Sequence, residues 1–311
     1  ADHWRSIAGV SDADVAGLIR ADEIDILVDL SGHTAGNRLP VFARKPAPVQ
    51  ATWMGYSCTT GLDAMDYLIA DRFIAPPETA PFFAEQLAWL PSCYLCYRPP
   101  DYAPPVSCCP ARSKGHITFG CFNNLTKVNA GVIATWAQIL HAVPDARLVL
   151  KSRALSDRHT QEMYGRLFLE RGITPERVDL LGLEPPHADV LALYHEIDIA
   201  LDTFPYSGCT TTCEALWMGV PVVTLAGPTF ISRMGVSLLS NVGVPELIAE
   251  SPRRYVELAA QLSRDLDRVE SLRGGLRPRM AASPLCDEAT FTRTLEQCYR
   301  RMWRTWCEQP R

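Results

Sequence analysis

Residues 197–225 read IDIALDTFPYSGCTTTCEALWMGVPVVTL, and their order of apolar and polar runs decides the fold class. Residues 197–202 open apolar and β-branched and stop at Asp202-Thr203, as a buried strand does. Residues 204–209 hold Pro205 and Gly208 and read as loop. Thr210, Thr211 and Thr212 supply hydroxyls and backbone N–H groups where a helix over 213–218 is expected to begin. Gly219 and Pro221 end that helix, and 222–225 is a second buried strand. A helix N-terminus at the carboxyl end of a parallel strand is a site for phosphate. The same spacing is met by an ordinary βαβ crossover with a threonine-rich cap, so both readings stand at this point.

Around that unit the chain has 311 residues, enough for two domains of ordinary size. Hydrophobic content of 47% and charged content of 21% are those of a soluble globular protein. A net charge of −5 gives no electrostatic case for nucleic acid or an anionic membrane. No apolar run reaches the length of a membrane span, and residues 1–10 contain no signal-peptide core. Eleven cysteines raise the question of metal. Cys93-x-x-Cys96 is followed by the adjacent pair Cys108-Cys109, which is not spaced for chelation, so reduced thiols of a cytoplasmic protein and no metal are expected.

Residues 12–21 fit a short helix capped by Ser11. Residues 24–30 (IDILVDL) read as a buried strand ending in Ser31-Gly32-His33-Thr34, a polar loop where α/β folds place ligands. His33 there is a candidate site residue, or an ordinary loop histidine. A helix over 37–44 and strands over 50–54 and 67–70 follow. Residues 99–111 (PPDYAPPVSCCPA) carry five prolines and no periodicity, which predicts a stiff linker crossed by no strand.

Beyond it, strands over 117–122, 147–151 and 178–181 alternate with helices over 130–143, 161–171 and 188–195. Trp136, Ile139 and Leu140 are expected to face inward. After residue 225 come a helix near 231–242 and a helical tail. This alternation implies a parallel, doubly wound sheet. The loop Asn123-Asn124-Leu125-Thr126-Lys127 offers amides and a point charge to a phosphorylated ligand, or is simply an exposed loop. Glu214, on the helix opened by the threonines, is placed for two ribose hydroxyls; as a helix-dipole partner it would contribute about 0.3–1 kcal/mol.

No dinucleotide glycine fingerprint, Walker loop, nucleophile elbow or zincin motif occurs. Two α/β domains joined by a proline-rich linker, with nucleotide features on the second, fit a GT-B glycosyltransferase. The chain is similar to the catalytic region of the O-linked N-acetylglucosamine transferase/SPINDLY family, glycosyltransferase family 41, in its bacterial form. The blocks that carry the resemblance are 24–34 (IDILVDLSGHT), 44–61 (RKPAPVQATWMGYSCTTG), 65–71 (MDYLIAD), 119–127 (FGCFNNLTK), 201–225 and 233–248 (RMGVSLLSNVGVPELI).

The resemblance implies a GT-B-like α/β protein with two Rossmann-like parallel-sheet domains facing a cleft. The layout it implies is a partial N-terminal lobe over 1–98, the linker over 99–116, a nucleotide-sugar-binding lobe over 117–285, and a C-terminal helix over 286–311 packing back on the first lobe. It implies a cytoplasmic, inverting, metal-independent transferase without cofactor, moving N-acetylglucosamine from UDP-GlcNAc to Ser or Thr hydroxyls of an acceptor protein. Related donors are GDP-fucose and UDP-glucose, and a remnant that binds nucleotide without efficient turnover is a further alternative. By the same resemblance Lys127 contacts the donor diphosphate, Asn124 stands at a diphosphate-contacting glutamine, and Thr210 and Thr211, with Thr212 beside them, hold the phosphates. Glu214 would bind the ribose, and His33 would face the cleft as a candidate base. The family's uracil-stacking histidine aligns with Val190, with His187 as a substitute, and Cys209 replaces a histidine before the threonine pair. The family's first βαβ portion, its His-Pro-type motif and its tetratricopeptide repeats have no counterpart in the blocks. An incomplete first domain, weak nucleotide binding and poor turnover are therefore expected of these 311 residues alone.

Overall fold

The computed structural model describes residues 3–56, 58–182 and 187–309, the side chains of 187–189 excepted. In chain order the elements are α1 (Asp12–Ala21), β1 (Ile26–Asp29), α2 (Leu39–Phe42), β2 (Val49–Thr52), β3 (Tyr67–Ala70) and β4 (Gln86–Trp89). Then come α3 (Ala111–Lys114), β5 (Thr118–Cys121), α4 (Ala130–Ala142), β6 (Arg147–Lys151), α5 (Arg158–Leu169), β7 (Val178–Leu181) and α6 (His187–Ala192). The chain continues through β8 (Ile199–Leu201), α7 (Thr210–Trp217), β9 (Val222–Leu225), α8 (Met234–Val242) and β10 (Ile248–Ala249). It ends with α9 (Pro252–Arg264), α10 (Leu266–Ala281) and α11 (Glu288–Cys307). They form two units, Ala1–Leu95 with Ala289–Arg311, and Cys96–Glu288.

The first unit is built on a four-stranded parallel sheet of order β1-β2-β3-β4. All of β2 is buried, because both faces of the sheet are covered. On one face Val49, Ala51, Ile69 and Leu90 pack against Cys298 and Met302 of α11, and Trp53 stacks on Phe291 at 5.8 Å. On the other, Leu39 and Phe42 of α2 meet Met65, while Val15 and Ala16 of α1 meet Val41. Ser11 caps α1 by accepting from Asp14 N. The alternation of strand and helix did not reveal β4, a four-residue strand, nor the two-residue β10; such runs are too short to show a period.

The carboxyl ends of β1 and β2 interlock. Asp29 is buried and accepts from Ser31 N (3.0 Å), Gly32 N (2.9 Å) and Thr52 Oγ1 (2.9 Å), which fixes the loop after β1. A Cβ on Gly55 would stand 2.3 Å from Ser31 C and 2.6 Å from Gly32 N, so the loop after β2 lies directly on that backbone. Gly55→Ala is expected to lower stability by about 1–3 kcal/mol, because backbone rather than a flexible side chain must yield. A shift in the urea midpoint is the measurement, and an unchanged midpoint refutes the close approach.

The second unit has six parallel strands in the order β10-β9-β8-β5-β6-β7. From β5 the chain runs outward through β6 and β7, then returns to β8 on the other side and continues to β9 and β10. The order reverses between β5 and β8, and a ligand crevice forms outside the carboxyl ends of strands at such a point. Trp136, Ile139 and Leu140 of α4 are buried against the sheet. Ile197 fills the space left by Gly120, where a Cβ would stand 2.5 Å from Ile197 Cδ1.

The proline-rich stretch carries no strand and is bonded to the second unit along its length. Arg273 of α10, buried, donates to Ser107 O (2.9 Å) and Ser107 Oγ (2.8 Å), and also to the carbonyls of Tyr194 (3.1 Å) and Ile197 (2.9 Å). Arg277 reaches Pro104 O at 2.7 Å. Asp198, fully buried, accepts from Thr118 N (2.8 Å), Ala111 N (2.9 Å) and Cys109 Sγ (3.2 Å). Prolines keep their carbonyls though they lack N–H groups, so such a stretch can be held by donors from outside. Stiffness was legible in the composition, but these donors lie 80 residues or more away in the chain.

Candidate functional site

The site is assembled where β5 and β8 end. After Cys121 the chain turns through Asn123, which is buried, and Asn124, which is exposed. Asn124 Oδ1 accepts from Thr126 N at 3.1 Å and so caps the short 3₁₀ turn Leu125–Lys127 that carries Lys127. Asn129 caps α4 through Gly131 N (2.9 Å) and Val132 N (3.1 Å), and donates to Phe204 O at 2.7 Å. The two turns therefore pin the Lys127 loop to the loop after β8.

Lys127 Nζ donates to Ser207 O at 2.9 Å and stands 3.9 Å from the centre of the Tyr206 ring. Burial pushes its ammonium below the ordinary lysine range, with the Asp202 carboxylate opposing. Asp202, buried at the end of β8, is the hub of the loop. Its Oδ1 accepts from Thr203 N (2.9 Å), Gly208 N (2.6 Å) and Asn123 Nδ2 (3.3 Å), and its Oδ2 from Thr224 Oγ1 (2.7 Å). Its backbone carbonyl accepts from Tyr255 OH at 2.8 Å. Burial raises the Asp202 pKa to about 6, against the pull of those donors and of Lys127.

Helix α7 starts at Thr210, three residues earlier than the threonine pattern suggested, so the threonines form its first turn instead of preceding it. The N-cap residue, Cys209, makes no side-chain capping bond, and among the described residues nothing accepts from the N–H groups of Thr210, Thr211 and Thr212. Thr210 is exposed, and Thr211 Oγ1 donates to Asn123 Oδ1 at 2.6 Å. Thr212 is buried, which leaves it little to offer a ligand. A Cβ on Gly208 would stand 2.7–2.9 Å from Thr212 Oγ1, Thr211 Oγ1 and Asn123 Oδ1, so only glycine lets the loop lie on this cluster.

Glu214, one turn into α7, is also buried; its Oε2 lies 3.5 Å from the Tyr194 hydroxyl, which donates to Thr211 O at 3.1 Å. Beside the cluster opens a cavity of about 780 Å³, lined by Phe122, Asn123, Asn124, Lys151, Ser152 and Arg153 among others.

The structure thus ties Lys127, through Ser207 O, and Thr211, through Asn123, to the ends of β5 and β8, with Thr210 beginning α7 and Glu214 one turn into it, and Asn124 lines the cavity beside them. Val190 is half-buried on α6, and the side chain of His187 lies outside the described residues. His33 belongs to the first unit, where it is exposed on the loop that Asp29 holds, its Nε2 3.2 Å from Thr59 O. Reading the sequence missed Asp202 as an organiser, Lys151 and Tyr194. An aspartate closing an apolar strand was the available signal for the first. All eleven cysteines are free thiols, and among the described residues no group of three or more His, Cys, Asp or Glu is placed to hold a metal. Among the described residues no helix is long and apolar enough to cross a membrane.

A cation and an uncapped helix N-terminus at the switch point of a parallel sheet are the arrangement in which doubly wound α/β proteins place anionic ligands. The sequence profile of Glycosyl transferase family 41 matches residues 1–98 and 111–295, and the chain belongs to that family. It is 47% identical over 305 residues to a Petunia hybrida protein named probable UDP-N-acetylglucosamine–peptide N-acetylglucosaminyltransferase SPINDLY, over 98% of this chain and 33% of the relative. It is 32% identical over 327 residues to the Arabidopsis thaliana relative named SEC, over 100% of this chain and 32% of that one. The chain therefore spans about a third of the length of these curated relatives.

Among solved structures, an O-GlcNAc transferase mutant from Thermobaculum terrenum superposes with a TM-score of 0.92 at 44% identity, covering 99% of this chain and 58% of that one. A trehalose-6-phosphate synthase at 13% identity and a TM-score of 0.59, covering 96% of this chain and 80% of that one, shares the fold alone.

Proposed function

We propose that the protein is a protein O-glycosyltransferase that moves N-acetylglucosamine from UDP-GlcNAc to Ser or Thr hydroxyls with inversion. The observation that carries this reading is the crevice where Lys127 and the uncapped first turn of α7 meet, joined through Asn123 and the Ser207-Gly208 backbone. An inverting transfer forms the acceptor O–C1 bond as the C1–O bond to the diphosphate breaks. Charge then develops on the leaving diphosphate, and groups aimed at it beforehand lower the barrier. The Lys127 ammonium and the N–H groups of Thr210 and Thr211 are such groups, and they do this work without a metal or cofactor. The acceptor hydroxyl also needs a base. His33 is the residue of the first unit proposed for it: with Nε2 held toward the Thr59 carbonyl, Nδ1 is the nitrogen left to accept a proton.

The names of the relatives support the donor and acceptor classes in this reading. Calorimetry of the purified chain against UDP and GDP, followed by transfer of labelled N-acetylglucosamine to a peptide by the full-length protein, tests it. Tighter binding of UDP together with label on peptide hydroxyls is the expected result. A preference for GDP overturns the donor assignment, and absence of any nucleotide binding overturns the whole reading. Thr210→Val with Thr211→Val is expected to weaken UDP by about 1–3 kcal/mol as two hydroxyls are lost, with Lys127 intact.

A further inference from the structure

Two free cysteines stand where the second unit begins and ends. The unit starts at Cys96 and stops at Glu288, two residues past Cys286. Its first and last segments are joined twice: Tyr97 N donates to Leu285 O at 2.8 Å, and Arg98 Nε pairs with Glu288 Oε1 at 3.7 Å. The first of these bonds has a cysteine on either side. Cys96 precedes the N–H that donates, and Cys286 follows the carbonyl that accepts. Standard backbone dimensions then hold the two Cα atoms within about 8 Å of each other. Disulfides span Cα separations of about 4.4–6.8 Å. Cys96 lies in irregular chain and Cys286 closes the 3₁₀ turn Pro284–Cys286, so neither is fixed to one face of a strand or a long helix. Both thiols are half-buried, whereas Cys93, the other half of Cys93-x-x-Cys96, is completely buried. Burial first, and then the neighbouring Cys96, push the Cys286 thiol up to about 11. Burial, Glu288 and Asp287 raise Cys96.

We propose that Cys96 and Cys286 form a reversible disulfide, a redox-sensitive tie that closes the second unit at its two ends. The oxidant is a low-molecular-weight disulfide such as oxidised glutathione. One cysteine thiolate attacks it, releases one glutathione thiolate and leaves a mixed disulfide on the protein. The other cysteine thiolate then attacks the protein sulfur of that bond, forms the Cys96–Cys286 bond and releases the second glutathione. Two protein thiols lose their protons and are oxidised, and one small disulfide is reduced to two thiols. Only the thiolate attacks, so thiols raised in this way exchange slowly, and alkaline pH speeds the reaction. Once made, the bond closes a loop that contains the whole of the second unit and restricts its unfolded chain. The tie is independent of the sugar-nucleotide reading.

The test is incubation of the folded, reduced chain with oxidised glutathione at alkaline pH. Remaining thiols are then alkylated, and the chain is digested without reductant for peptide mapping by mass. A cross-linked peptide pair holding Cys96 and Cys286, lighter by two hydrogens than the two reduced peptides, is the expected product. The thermal midpoint of the oxidised chain should rise by about 5–10 °C and return on addition of dithiothreitol. Cys96→Ser and Cys286→Ser should each abolish both the cross-linked pair and the rise. A bridge from Cys96 to Cys93, or mixed glutathione disulfides alone at Cys96 and Cys286, overturns the proposal. So does a mapped Cys96–Cys286 bridge that leaves the midpoint unchanged, since the tie then restrains nothing. Should either serine variant fail to fold, the map of the native chain still decides: absence of the Cys96–Cys286 pair overturns the tie.

Discussion

Lys127→Met is expected to abolish measurable diphosphate binding and to lower transfer by about 10²–10³-fold, the usual cost of removing one preorganised group facing developing negative charge. Methionine keeps the unbranched stem and its packing against Tyr206, so the loss isolates the charge from the shape of the loop. Stability should change little, since among the described residues the ammonium makes one hydrogen bond, to Ser207 O, and burial already pushes its pKa down. The measurements are UDP calorimetry and initial rates beside a thermal melt. Unchanged UDP affinity in a folded variant would remove Lys127 from the site. Lys127→Arg should keep part of the binding, because the charge remains while the point geometry is lost.

The second large effect is at Asp202. Asp202→Ala is expected to cost about 3–5 kcal/mol, because it leaves the backbone N–H groups of Thr203 and Gly208 and the amide of Asn123 without their buried acceptor, at roughly 1–3 kcal/mol for each group left unsatisfied. Asp202→Asn should be far milder. Its amide oxygen can take the place of Oδ1 toward Thr203, Gly208 and Asn123, while its NH₂ faces Thr224 Oγ1, a hydroxyl able to reverse and accept. The pair also predicts a pH dependence. Asp202 has a folded pKa of about 6 against a reference of 3.8, so its contribution is complete below pH 3.8 and is lost as pH rises through about 6. Urea unfolding of the native chain and of Asp202→Asn between pH 4 and pH 7 should show the native advantage shrinking as pH rises. An advantage that grows over that window contradicts the assignment.

Much of this site was legible along the chain. Residues 197–225 showed strand, loop, helix and strand in order, and β6, β7 and β9 fall on the residues the apolar runs marked. Lys127, Thr210 and Thr211 stood out because charge and hydroxyls followed apolar strands. Helix α7 begins at Thr210, where Thr211 bonds Asn123, 88 residues away, a contact that periodicity does not carry. Thr212 stood in the same row as its neighbours in sequence, yet the helix turns it into the core.

What the sequence determined by itself is the local alphabet of this protein: which runs are buried, where strands stop, and which polar groups wait at their ends. Those are one-dimensional consequences of hydrophobic period and of turn chemistry. Only the tertiary structure decided which strand ends are neighbours. Placing β8 beside β5, with β6 on the far side, brings Asp202 to Asn123 and joins the Lys127 loop to the threonine turn. Proximity across a sheet depends on strand order, and strand order leaves no mark on the spacing of residues along the chain.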